Sequence, residues 1–199
     1  FSMQTGFDYV LADQWAVTFQ LAAVYHLLQS EDDPAHLRPF AIWSALSFLF
    51  QYAIAVLAPA CLLYAFFVLR PRAADVRRFD RNLIAGAAFA LALVSPLFIY
   101  KAVRFGNPMC SGVIHAQLLK PHFFGVVFYA VNALAFFGIP AALVSAYGFV
   151  RALREKGVYL LTTACILSYL IFWVLLYVWL DTRFLLYFVP FAAVCLARG

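Results

Sequence analysis

The sequence predicts an all-α fold, a polytopic transmembrane bundle of about six or seven helical spans. Hydrophobic residues make up 66% of the 199 residues and charged residues only 12%, and the mean hydropathy is +0.90. A soluble domain of this length has too small a core to cover so much apolar surface. Apolar runs of roughly 17 to 25 residues recur, the length at which a helix crosses a bilayer with its backbone groups satisfied.

The N-terminal half contains two apolar runs, at residues 13–28 and 40–69. The first ends in the polar stretch 29–34, which stops a helix. The second is long for one tilted helix, and Pro59 interrupts it, so one kinked helix and a helical hairpin both fit. Five arginines then crowd the segment 70–81 and place it in the cytoplasm by the positive-inside rule. They are Arg70, Arg72, Arg77, Arg78 and Arg81.

The C-terminal half alternates apolar spans with charged loops. The predicted spans cover residues 83–100, 123–150 and 158–180, with a final run ending at Leu196. The second basic cluster, which follows the span 123–150, returns to the cytoplasmic side. It consists of Arg151, Arg154 and Lys156. The external side then gathers residues 101–121 and 181–183.

No repeat or linker divides the sequence, so residues 1–199 are expected to form one helical domain. The start at Phe1, without an initiator methionine or a signal peptide, indicates part of a longer polypeptide. The net charge of +5 lies mostly in short loops and does not call for a nucleic-acid partner. No phosphate-binding glycine loop, zinc-protease motif or nucleophile elbow is present, which leaves hydrolase and NTPase functions without support.

Polar residues other than the arginines suggest local roles. Three of the four cysteines lie inside apolar runs, so no disulfide framework and no cysteine metal pair is predicted. His26, in the first span, suits a haem or chlorophyll ligand or, more commonly, a side chain packed against a neighbouring helix. His115, in the external loop, suits interfacial hydrogen bonding. The acids at positions 31–33 are expected to form a solvated loop.

Two segments place charges at the mouths of apolar runs. In residues 95–112 a helix ends in Lys101 and Arg104 before a Gly-Asn-Pro turn, and in residues 181–190 an Asp-Thr-Arg sequence opens the last run. An ionised side chain in hydrocarbon costs about 2.5 to 3.5 kcal/mol, so such charges face water, a headgroup or one another. Two interpretations stand: snorkelling at a helix exit, or contact with a phosphate.

In these two segments the chain resembles the GT-C superfamily of membrane glycosyltransferases, which take sugars from polyprenyl-phosphate carriers. The resemblance rests on the basic residue before the Phe-Gly-Asn-Pro turn at 105–108 and on the Arg-Phe-Leu-Leu segment at 183–186 with its later proline. It extends to the order of elements, with an acid opening one span, a helical hairpin and an arginine-rich inner loop. It therefore covers most of the chain and favours the hairpin at 40–69.

The resemblance implies transfer of a sugar from a polyprenyl-phosphate carrier to an acceptor on the external face. In such enzymes a carboxylate deprotonates the acceptor or orients a divalent metal. That carboxylate lies in a first external loop, and no part of this sequence matches that loop. No catalytic residue is therefore assigned, and no metal ligand is predicted. Carrier-phosphate contacts carry over to Arg183, Lys101 and Arg104. The side chains expected to line the external cavity are Asp13, Asp181, His115 and Tyr187.

Two functions therefore remain open from the sequence. The first is a glycosyltransferase fragment in a bacterial inner (plasma) membrane, its site facing the periplasm and its partners the bilayer and a polyprenyl-phosphate lipid. The second is a non-catalytic transmembrane subunit that packs against other membrane-protein subunits of a respiratory or photosynthetic complex. The resemblance makes the first the leading hypothesis, and the missing first loop, the lack of a complete catalytic constellation and the aromatic, apolar surface are the support for the second.

Overall fold

In a computed structural model, the structure describes residues 5–50, 56–106, 124–152, 154, 158–172 and 185–198. Every regular element in these segments is helical, and none is a strand, which confirms the predicted all-α class. The α-helices are α1 Thr5–Gln29, α2 Leu37–Phe50, α3 Ala58–Tyr64, α4 Val76–Phe105, α5 Phe124–Phe137, α6 Ile139–Ala152, α7 Val158–Tyr169 and α8 Leu185–Arg198.

The chain forms two compact units. The first comprises Phe1–Ala55 and Cys61–Ile114, and the second comprises Val56–Ala60 and His115–Gly199. The single domain expected over residues 1–199 stays a prediction.

In the first unit, α1 presents one buried row of side chains and packs against α2. The row recurs every third or fourth residue, the spacing that keeps side chains on one helical face. Its members are Asp13, Ala16, Gln20, Ala23, Leu27 and Ser30. The hydroxyl of Ser47 on α2 donates to the Ala16 carbonyl at 2.7 Å. α1 begins at Thr5, well before the apolar run expected from residue 13.

α2 also packs against α4, and Gly86 is a point of close approach between the two helices. A Cβ atom at position 86 would lie 2.9 Å from the Leu37 carbonyl oxygen and 3.0 Å from the Ala41 Cβ. Only a glycine leaves room for two backbones this close, as in other tightly packed membrane helices. Phe79 and Asn82 are buried on the same side of α4.

The described residues on either side of the segment 40–69 exclude one helix over its whole length and favour the hairpin. Glu31 precedes α2 and Arg72 follows the return through α3, yet the Arg72 Nη1 and Glu31 Oε1 atoms are 3.0 Å apart. A single helix over residues 40–69 would separate its ends by about 45 Å. The chain therefore reverses between α2 and Arg72. A π-helical turn at Ala65–Leu69 and a 3-10 turn at Arg70–Arg72 complete the return.

α4 matches the predicted span 83–100 and extends beyond it on both sides. Within the described segments it is the one helix that is long and apolar enough to cross a bilayer by itself. Only 11% of its apolar window is buried in the fold, unlike the core helix of a soluble domain. The total of six or seven spans stays a prediction.

In the second unit, the span expected over residues 123–150 is not one continuous helix, and its crossing of the bilayer as a broken span stays a prediction. The helix breaks at Gly138, and α5 and α6 meet at an angle of 119°. Gly138 has a φ of 75°, its amide closes α5 on the Leu134 carbonyl, and Pro140 opens the next helix. This left-handed residue followed by a proline ends one helix and starts another. The two helices pass the length and apolarity test for one span only when they are taken together.

Candidate functional site

Lys101 and Arg104 lie in the last two turns of α4, three residues apart and therefore on neighbouring positions of one helical face. Arg104 is exposed and Lys101 is partly exposed. Cations in the last turn also interact favourably with the helix dipole, which is a purely structural reason for their position. The structure thus brings together two of the three cations predicted to contact a carrier phosphate.

These cations lie at the opposite end of α4 from the arginine segment. From Arg81 to Lys101 the helix rises about 30 Å, which equals the thickness of a bilayer hydrocarbon core. No charged side chain occurs in residues 82–100. The charges on α4 therefore stand at the two borders of an uncharged stretch of membrane length.

The remaining predicted site residues are only partly covered. Arg183, Asp181 and His115 lie outside the described residues, and for Tyr187 the structure gives the backbone of α8 alone. Asp13 is 1% exposed and belongs to the buried row of α1. A role for Asp13 in lining an external cavity stays a prediction.

At the other end of the first unit, two ion pairs join the acidic turn after α1 to the arginine segment. Glu31 pairs with Arg72 and Asp33 pairs with Arg78, each at 3.0 Å. The exposure of both side chains, 42% for Glu31 and 49% for Asp33, agrees with the solvated loop expected for the acids, and the ion pairs are a feature that the sequence did not predict. Exposed pairs of this kind contribute about 0 to 1 kcal/mol each. They place the acidic turn and the arginine segment at one end of the unit.

A third pair lies within the arginine segment. The Arg70 guanidinium donates to both carboxylate oxygens of Asp80, at 2.8 and 2.9 Å. This forked arrangement is the geometry in which arginine binds a carboxylate most specifically. Hydrogen bonding to Asp80 raises the pKa of Arg70 above its usual value.

His26 and His36 contact each other beside the acidic turn. Their Nδ1 atoms are 2.8 Å apart and their rings stack with centroids 5.1 Å apart. One Nδ1 atom must donate and the other accept, so at least one imidazole is neutral. His26 therefore packs against a neighbouring element, the commoner of its two predicted roles. Over the described part of the chain, no three histidine, cysteine or acidic residues come together as metal ligands.

The second unit contains an apolar groove of about 200 Å³ between its helices. This volume is below the roughly 300 to 1,000 Å³ of sites for drug-sized ligands, and the groove suits a hydrocarbon segment better than a sugar. Ser145, on its wall, donates to the Ala192 carbonyl at 3.4 Å. The lining residues are Ala133, Ala142, Ser145, Ala146, Phe149, Ile166, Leu170, Ala192 and Cys195.

Comparisons with protein-family models, with curated proteins and with solved structures found no match to this chain.

Proposed function

We propose that this chain is part of an integral membrane glycosyltransferase of the GT-C type, with six or seven spans in a bacterial inner membrane. It takes a sugar from a polyprenyl-phosphate carrier at the external ends of its helices. The main support for the proposal is the distribution of charge along α4. Its uncharged stretch has the length of a membrane span, with arginines at one end and Lys101 and Arg104 at the other. Sequence resemblance in residues 95–112 and 181–190 supplies the reaction type.

Insertion in a bilayer is supported by the apolar side chains that α4 exposes. Ile84, Leu91 and Val103 are 69%, 71% and 82% exposed. In water, large exposed apolar surface of this kind carries a free-energy cost of about 25 cal/mol per Å². In lipid it does not, because the acyl chains are as apolar as the side chains. In a bilayer, α4 therefore needs no other protein element to bury its apolar side chains.

The phosphate site is assigned to cations at the external surface. Lys101 and Arg104 share one end of α4, and Arg183 opens the last apolar run of the sequence. Lysine and arginine donors would hold the carrier phosphate and stabilise the negative charge that develops on it as the sugar leaves.

The test is sugar transfer by the full-length protein in proteoliposomes with a radiolabelled polyprenyl-phosphate sugar. Arg104→Ala and Arg183→Ala are each expected to lower transfer at least tenfold, because a charge-assisted hydrogen bond to phosphate is worth about 1.5 to 3 kcal/mol. Arg154→Ala is the matched control, an exposed arginine on the predicted cytoplasmic side, and it should keep wild-type transfer.

Two results would contradict the proposal. Normal sugar transfer by both Arg104→Ala and Arg183→Ala would show that neither arginine contributes to the phosphate site. Absence of transfer and of carrier binding in the wild-type full-length protein would favour the non-catalytic membrane subunit, in which the exposed apolar surface packs against other subunits.

A further inference from the structure

Two arginines at the start of α4 differ from their neighbours. Arg77 and Arg81 are exposed and make no ion pair with any described residue. The acids around them are already engaged, because Asp80 binds Arg70 and Asp75 caps α4 by accepting the Arg78 amide at 2.9 Å. Arg77 and Arg81 are four residues apart and therefore lie one above the other on the helix surface.

The same helical face continues as an exposed apolar stripe. From Arg77 and Arg81 the spacing of three and four residues leads to Ile84, Leu91 and Ile99, which are 69%, 71% and 62% exposed. The two guanidinium groups therefore lie at one end of a surface that is apolar over more than the thickness of one bilayer leaflet. A molecule with an anionic head and a hydrocarbon tail matches this surface in both charge and polarity.

We propose that Arg77 and Arg81 bind the headgroup phosphate of an anionic phospholipid whose acyl chains lie along the apolar stripe of α4. Guanidinium groups match phosphate oxygens with paired hydrogen bonds, and basic residues beside a membrane surface each add about 1 kcal/mol to the binding of anionic lipid. The proposal rests on insertion of α4 in a bilayer, which is one part of the proposed function, and it is independent of sugar transfer.

The test compares two double variants of the full-length protein in nanodiscs of phosphatidylcholine with a minor fraction of phosphatidylglycerol. Arg77→Gln with Arg81→Gln removes the two free cations, whereas Arg72→Gln with Arg78→Gln removes two that are paired with acids. Native mass spectrometry of the protein released from the discs gives the phosphatidylglycerol that each variant retains. Titration with a fluorescent phosphatidylglycerol gives the affinity.

The first double variant is expected to bind phosphatidylglycerol about 25-fold more weakly, which is fivefold for each arginine. The second should stay within about twofold of wild type, because its arginines are already neutralised. Equal weakening in both variants, or no weakening in the first, would overturn the proposal. Displacement of phosphatidylglycerol by millimolar inorganic phosphate would also overturn it, in favour of a soluble phosphate ligand.

This experiment uses no sugar donor, so its outcome is separate from that of the transfer assay. Retention of phosphatidylglycerol by a protein without transfer activity would support the lipid site and contradict the glycosyltransferase. Sugar transfer by a protein that shows no preference for phosphatidylglycerol would support the glycosyltransferase and contradict the lipid site.

Discussion

Asp33 shows how one side chain joins three elements of the first unit. Its Oδ1 atom accepts the Ala35 amide at 3.0 Å, which caps the 3-10 turn Pro34–His36 before α2. The same oxygen accepts Arg78 Nη2 at 3.0 Å, and Arg78 belongs to α4. A carboxylate at this position therefore fixes the turn after α1 and ties it to the start of the predicted membrane span.

Substitutions of Asp33 separate these two contributions. Asp33→Asn keeps an oxygen for the cap but loses the ion pair, and we expect it to lower the free energy of unfolding by about 0 to 1 kcal/mol. Asp33→Ala loses both and should cost about 1 to 2 kcal/mol. Chemical unfolding in mixed micelles, followed by circular dichroism, measures the difference. Equal losses for the two variants would show that the cap contributes nothing.

At the scale of elements, the contact between α2 and α4 depends on a missing side chain. Gly86 lets the α4 backbone approach Leu37, Arg38 and Ala41 so closely that a Cβ atom would lie within 3.2 Å of each. Dispersion contacts between closely spaced backbones are a main source of helix association in lipid, where no hydrophobic effect acts. Steric fit at this position therefore lets α2 pack closely against α4.

Gly86→Leu is expected to destabilise the first unit by about 1 to 3 kcal/mol, because the added atoms must push α2 away from α4. Ala88→Leu adds three carbon atoms to the exposed face of the same helix and serves as the control, with a change below about 0.5 kcal/mol. Thermal unfolding of the full-length protein in detergent compares the two variants. A larger loss of stability for Ala88→Leu than for Gly86→Leu would show that the close contact with α2 is not on the Gly86 face of α4.

For the whole molecule, the distribution of charge along α4 predicts the orientation of this helix in a membrane. Arginines precede the uncharged stretch 82–100, and Lys101 and Arg104 follow it. The positive-inside rule assigns the denser cluster, at 70–81, to the cytoplasm. The ion pairs Glu31–Arg72 and Asp33–Arg78 bring the turn after α1 to that same end.

This orientation predicts which positions a membrane-impermeant thiol reagent reaches. In a variant without native cysteines, Phe105→Cys should react in intact cells, whereas Ala74→Cys should react only after the membrane is opened. Both positions are exposed in the structure, so burial does not explain a difference between them. Labelling of both residues from the same side would contradict a transmembrane α4.

The sequence alone predicted an element where hydropathy and charge change at the same positions. Residues 83–100 are uncharged and bordered by cations, and α4 spans them. The break at Gly138 was missed because residues on both sides are apolar, and a hydropathy average does not register a backbone angle. The pairs of Glu31 and Asp33 were missed because they depend on where the hairpin returns. Of the candidate site, pattern alone predicted Lys101 and Arg104 at one end of α4. The close approach at Gly86 could not be predicted, because it depends on which helix packs against α4.

The ion pairs of the acidic turn have a consequence for biosynthesis. Glu31 and Arg72 are 41 residues apart in the chain, and Asp33 and Arg78 are 45 residues apart. At about 5 to 20 residues per second, the ribosome adds the two arginines several seconds after the acids. During that interval α1 and the hairpin have no charged anchor to α4. A chaperone or the insertion machinery that shields the nascent turn would therefore act in the window between synthesis of Asp33 and synthesis of Arg78.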